Sequence, residues 1–303
     1  MLALRRDTDP VDLAPPLPQG RLVELPGRGT TFYRHVEGPP DAPTLLLLHG
    51  LSGSADLNWF PAYDVLAREF NVLAIDHRGH GRGIRSPRRF RLADCADDAI
   101  ALADVVGVDR VIAVGYSMGG PIAQLAWQRH RDRVAGLVLA ATSRDFRGHP
   151  RDRLMFAAVP TVSLAARVPP LAQVRGVVDR ALLPRLAPDW LVEWAHKELR
   201  RNDPVKVLQA AQTLGAFTSR DWIGEVDVPT AVVACTNDQL VPHRRQVKLA
   251  RSIPGATEYT VESDHFAITK EPERFVPALV EACRDVAGRP LGTGAAAGGR
   301  PGA

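Results

Sequence analysis

Only three cysteines occur in the 303 residues, and Cys95, Cys235 and Cys283 are odd in number, far apart and without the short spacings that hold a metal. That excludes a disulfide framework and a zinc site, and makes a reducing cytoplasm the expected compartment. No stretch reaches the roughly 18 apolar residues needed to cross a bilayer. After Arg5 and Arg6 the chain turns acidic and proline-rich, with no apolar segment or small-residue cleavage site, so no secretion signal is expected. Internal repeats are absent. The net charge of +4 is carried largely by scattered arginine. This reads as a solvated surface, and no nucleic-acid partner is expected.

What is present has the balance of an ordinary globular enzyme, 45% apolar and 24% charged. Short uninterrupted apolar runs at Thr44 to Leu48, Val72 to Ile75, Val111 to Val114, Leu137 to Ala140 and Ala231 to Ala234, with a weaker one at Thr257 to Val261, suit strands covered on both faces. Helical spacing at Ala62 to Glu69, Leu92 to Val106, Met118 to Arg129, Arg244 to Ser252 and Pro272 to Val286 supplies the parallel crossovers. The fold class is α/β, a mostly parallel central sheet flanked by helices. The alternation breaks at about 143–222, where helical patterns cut by prolines predict an inserted cap. Within it Leu154 to Val178 holds no acidic residue, so this face either covers an apolar substrate or buries itself against the sheet. The predicted organisation is an extended arm at 1–20, a core from 21–142 and 223–287, the cap between, and a disordered tail at 288–303.

The chemistry is expected where Val111 to Val114 runs into Gly115-Tyr116-Ser117-Met118-Gly119-Gly120. A serine on a sharp strand-to-helix turn is held strained and exposed, and the flanking glycines remove the Cβ atoms that would collide there. Serine at its free pKa is a poor nucleophile and needs a base and an orienting acid. His265, on the loop between the last strand and the terminal helix, is the candidate base, ahead of His49 and His80. Asp238, just past Ala231 to Ala234, is the candidate acid, with Asp145 its rival and Asp264 a solvated loop residue. The backbone N–H groups of Met118 and of Leu51, in His49-Gly50-Leu51-Ser52-Gly53, are the candidate oxyanion donors.

These residues resemble the α/β-hydrolase superfamily, of the capped esterase, lactonase and C–C hydrolase type. His49-Gly50 is similar to its oxyanion loop, Asp76-His77-Arg78-Gly79-His80-Gly81 to its Asp-x-Arg-Gly-x-Gly loop, Asp238 with Val241-Pro242 to its acid loop, and His265 with Glu271-Pro272 to its histidine loop. The order Ser, Asp, His matches the order expected for this architecture and favours Asp238. One departure stands out: a serine often follows the Asp-x-Arg-Gly-x-Gly loop, whereas this chain reads Arg82-Gly83-Ile84-Arg85, which leaves the local loop geometry open. Serine at 117 sets the chain apart from members with an aspartate or cysteine nucleophile.

The resemblance implies a serine hydrolase cleaving an ester, thioester or lactone of a fairly apolar small molecule, without cofactor or metal. An acyltransferase that excludes water and a hydrolase-like protein that only binds a ligand are the alternatives. A homo-oligomer is left open. The acid-free run Arg82, Arg85, Arg88, Arg89 and Arg91 is expected to be a solvated loop, the other reading being recruitment of an anionic substrate or membrane surface.

Overall fold

The structure, a computed structural model, describes residues 14–146 and 191–289. The arm before residue 14, the apolar segment Leu154 to Val178 and the tail beyond residue 289 lie outside the described residues.

Eight strands form one sheet: β1 (Gly20–Leu25), β2 (Gly29–Val36), β3 (Thr44–Leu48), β4 (Asn71–Ile75), β5 (Val111–Tyr116), β6 (Val134–Ala140), β7 (Thr230–Cys235) and β8 (Thr257–Val261). Their spatial order is β1-β2-β4-β3-β5-β6-β7-β8. β1 and β2 pair antiparallel with their neighbours, and from β4 to β8 every pairing is parallel. The apolar runs thus correspond to the central strands. Every residue of β3, β5 and β7 is buried, as expected of strands covered on both faces.

Alternation along β3 and β4 sends Leu46, Leu48, Leu73 and Ile75 to one face, against α3 (Leu92–Val106), α4 (Gly119–Arg129) and α7 (His243–Ala250). Leu45, Leu47, Val72 and Ala74 face the other way, against α1 (Ala55–Trp59), α2 (Tyr63–Leu66), α8 (Ala267–Lys270) and α9 (Pro272–Gly288). Each fully buried leucine contributes on the order of 2 kcal/mol of apolar burial. Between β6 and β7 the described part of the insertion gives α5 (Val192–Arg200), α6 (Pro204–Gly215) and a 3-10 turn at Ile223–Glu225. An isolated antiparallel bridge, Asp145 with Thr218, joins the two ends of this insertion, a pairing the helical reading of 143–222 does not contain. Among the described residues no helix is long and apolar enough to cross a membrane.

The order reverses beside β3. The connection leaving β3 leads to β4 on one side, whereas that leaving β5 leads to β6 on the other. Two loops therefore diverge above adjacent strand ends, opening a crevice at the carboxyl edge, where open α/β sheets bind ligands. Those loops are His49 to Ser54 and Ser117-Met118.

Candidate active site

Ser117 has φ +52, a left-handed conformation that costs a non-glycine residue on the order of 1–3 kcal/mol. The surroundings hold it there: its N–H donates to Ala140 O (2.9 Å), and its carbonyl accepts from Gly120 N (3.0 Å) and Thr142 Oγ1 (2.7 Å). Space explains the glycines. A Cβ on Gly115 would fall 2.2 Å from Gly119 O, and one on Gly119 would fall 2.0 Å from Leu48 O, so only hydrogen lets the turn close against β3.

His265 Nε2 lies 2.9 Å from Ser117 Oγ, and its Nδ1 lies 2.7 Å from Asp238 Oδ2. The three side chains come from loops after β5, β7 and β8 and are all buried. Asp238 is immersed in donors: Oδ1 accepts from Leu240 N (2.8 Å) and Val241 N (2.7 Å), and Oδ2 from Gln246 Nε2 (3.0 Å). Asp238 Oδ2 accepts from the Nδ1–H of His265, and in that tautomer Nε2 faces the serine hydroxyl as an acceptor. Tyr116 Oη donates to the His265 carbonyl and fixes that loop from below. Asp145 pairs instead with Arg220, and Asp264 pairs with Lys270 (3.3 Å) at a half-exposed position.

The rival histidines sit elsewhere in the design. His49 Nε2 accepts from His77 N (3.0 Å), so the ring's proton is on Nδ1, which donates to Gly50 O (2.8 Å). Burial, then the neighbouring His77 and His80, hold the His49 imidazole well below its ordinary range. Its bond has a geometric consequence. The C=O and N–H of one trans peptide point in opposite directions, so a Gly50 carbonyl turned toward His49 Nδ1 and Gly53 N (3.2 Å) turns the Leu51 N–H away from them. Asn58 Oδ1 fixes the preceding peptide by accepting from Gly50 N (2.9 Å). Gly50 packs close to Ser117, and a Cβ there would lie 3.4 Å from Ser117 Cβ. Neither the Leu51 nor the Met118 N–H has an acceptor among the described residues.

Sequence reading passed over three residues that hold these loops. Asn202, just after α5, donates from Nδ2 to Ser52 O (2.6 Å) and accepts from Gly81 N (2.7 Å). Glu198 accepts from Ser54 Oγ (3.1 Å), the N-cap of α1, and Gln246 ties the acid loop to α7. The arginine run is also corrected in part. Arg85, Arg88, Arg89 and Arg91 are exposed, but Arg82 is drawn inward onto Asp56 and over the Phe32 ring at 3.6 Å, with Asp76 and Glu198 within 3.8 Å. The reason is charge: Asp56 and Asp76 are both buried here, and Arg34 offsets only one of them. Arg82, which departs from the serine that often follows this loop, links the loop to Glu198 of α5.

The cavity over Ser117 has a volume of about 110 Å³ and apolar walls from Leu57, Leu199, Phe266 and Ile268. Among the described residues no group of His, Cys, Asp and Glu is arranged to hold a metal ion.

Comparison with known proteins places this geometry in context. The chain is 30% identical over 250 residues, 80% of its length and 94% of the relative's, to the Rhizobium rhizogenes protein named "Putative carbamate hydrolase RutD". It is similar to a solved hydrolase from Pseudomonas aeruginosa, with TM-score 0.73 and 25% identity over 87% of this chain and 98% of that one. In fold it is also similar to the enol-lactonase from Burkholderia xenovorans, with TM-score 0.73 and 21% identity over 87% of this chain and all (100%) of that one. The sequence pattern of the alpha/beta hydrolase fold family matches residues 43–272, well over half the chain, and the protein belongs to that family.

Proposed function

We propose that the protein is a serine hydrolase that cleaves a carboxylic ester, thioester or lactone of a fairly apolar small molecule through an acyl-enzyme. The observation that carries this reading is the continuous hydrogen-bonded line from Ser117 Oγ through His265 to Asp238 Oδ2. Ser117 Oγ attacks the substrate carbonyl as His265 Nε2 takes its proton, and Asp238 stabilises the imidazolium through Nδ1. The oxyanion is received by the N–H groups of Leu51 and Met118, donors already aimed before charge develops. Collapse breaks the bond to the leaving group, to which His265 returns the proton. Water then attacks the acyl-enzyme with His265 again as base, and Ser117 recovers its proton. The cap that would cover the substrate spans 143–222, and Leu199 of α5 brings it to the cavity wall.

Similarity to the RutD protein supports a second substrate class, a carbamate, which the same triad would open by attack at the same type of carbonyl. A fluorophosphonate probe tests the mechanism. One equivalent should bind, map to the peptide holding Ser117 and abolish turnover of nitrophenyl esters, and Ser117→Ala should neither label nor turn over while unfolding at the wild-type temperature. Retained turnover in that variant sinks the reading. Matched ester and carbamate panels rank the substrate classes, and added alcohol or thiol acceptors show whether water is the physiological acceptor.

A further inference from the structure

Several surface arginines among the described residues pair with carboxylates. Arg129 pairs with Asp97, Arg131 with Glu225, Arg133 with Asp104, Arg284 with Glu69 and Arg289 with Asp285. One cleft of about 330 Å³ instead gathers cations around a concavity. Five cations line it, Arg144, Arg220, Arg244, Arg245 and Lys248, with a single carboxylate, Asp145, already paired with Arg220. The side chains of Arg144, Arg244 and Lys248 have no partner among the described residues. Like charges gathered around one concavity repel, and low-dielectric walls sharpen the field inside.

The helix beneath them makes the arrangement more unfavourable. α7 begins after Pro242 with no side-chain cap and no acid in its first turn, and Arg244 and Arg245 lie there, at the end where the helix dipole disfavours cations. An anion in the cleft resolves both conflicts by facing the guanidinium groups together. Paired forks of this kind match phosphate oxygens geometrically, beyond simple charge.

We propose that this cleft is a binding site for the phosphate or pyrophosphate group of a small molecule. It adjoins the catalytic loops on both walls. Ser143, on one side, follows Thr142, which holds the Ser117 carbonyl. The helix on the other side also carries Gln246, which holds Asp238. Binding here does not depend on the reading of Ser117 as nucleophile, so Ser117→Ala binds the anion as the wild type does.

The test is calorimetric titration of the full chain with inorganic pyrophosphate at low ionic strength. Wild type and Ser117→Ala should bind saturably, and more weakly as salt rises. The double variant Arg244→Gln/Lys248→Gln should lose at least about tenfold in affinity, the effect of removing two charge-assisted contacts. Arg131→Gln/Arg284→Gln, which removes the same net charge elsewhere, should bind as the wild type does. Absence of saturable binding at millimolar pyrophosphate overturns the proposal, and so does an equal loss in the two double variants. The source of the group follows from kinetics. If it belongs to the substrate, Arg244→Gln/Lys248→Gln raises KM for an acyl thioester with a phosphorylated leaving group and not for a neutral ester of the same acyl chain. If it is free phosphate, pyrophosphate changes turnover of the neutral ester in wild type alone.

Discussion

Asn202 grips the Ser52 carbonyl from 150 residues away in sequence, at 2.6 Å, while its Oδ1 receives the N–H of Gly81. Ser52 has φ +61, so the loop that carries Leu51 is bent in a way it would not hold alone. An amide is required because one end must donate and the other accept. Asn202→Asp keeps the shape and removes the donor, facing an acceptor with an acceptor. The expected result is a kcat about tenfold lower with KM within about twofold, because in the proposed mechanism loop aim affects the oxyanion more than the bound substrate. A matched fall in thermal stability with unchanged kcat would make Asn202 a structural residue only.

His49 sets the same loop from the inside. Its Nδ1 proton is what turns the Gly50 carbonyl, and hence the Leu51 N–H. His49→Phe keeps a ring and loses the bond, and should lower kcat about a hundredfold, the scale of losing one oxyanion donor. His49→Asn offers a side-chain N–H near the same carbonyl and should recover part of that loss. Equal kcat in wild type and both variants would remove the ring from the aiming of the loop.

The parts of this arrangement legible in the sequence are those fixed by local pattern. β3 to β7 were readable because strands buried on both faces are nearly uninterrupted apolar runs, and Ser117 and Asp238 each follow such a run, while His265 follows the weaker signal of the edge strand β8. The hairpin β1–β2 was not, since its outer strand mixes exposed and buried positions and leaves Leu22 67% exposed. Helix α2 is only four residues, shorter than the spacing at Ala62 to Glu69 predicts, because the chain must turn into β4. Asn202 and Glu198 left no signal, because their contacts span about 150 residues and no periodicity encodes those, and Gln246 left none because a polar residue on a helix does not disclose the loop it faces. Arg82 was misread for the same reason: its partner Asp56 is near it only in the fold.

Three buried imidazoles give the fold an acid limb. Burial, then the neighbouring His80, pushes His77 down to about 3, and burial pushes His80 down to about 4; His49 is lowered as well. In the unfolded chain each would take up a proton near 6.5. Between those values the unfolded state holds more protons, so this stability is fully present above about pH 6.5 and is lost as pH falls toward 4 and then 3. Asp76 opposes it. Burial raises its carboxyl to about 6, so the folded state holds the extra proton between about 4 and 6 and stability drops there as pH rises. Three imidazoles against one carboxyl leave a net loss on acidification. Urea unfolding from pH 7.5 to 4.5 should show it, and His80→Phe should flatten the slope by about 1.4 kcal/mol per pH unit. An unchanged slope in that variant would place the protons elsewhere.

Gly119 and Gly120 stand side by side in the turn, yet alanine should act differently at each. At Gly119 the added Cβ meets the Leu48 carbonyl at 2.0 Å, and that oxygen belongs to β3 and cannot move without parting β3 from β5. At Gly120 it meets the Thr142 side chain, with Oγ1 at 2.2 Å, and a side chain can be shortened. Both single variants should lose on the order of 1–3 kcal/mol, the cost of overpacking, and Gly119→Ala should also lose activity through displacement of Met118. Adding Thr142→Ala should restore stability to Gly120→Ala by more than it does to the wild type, despite the loss of the Thr142 bond to the Ser117 carbonyl. The same second change should do nothing for Gly119→Ala. Chemical denaturation of the three single and two double variants reads the coupling directly, and additive effects at Gly120 and Thr142 would show that the turn relieves the contact by another route.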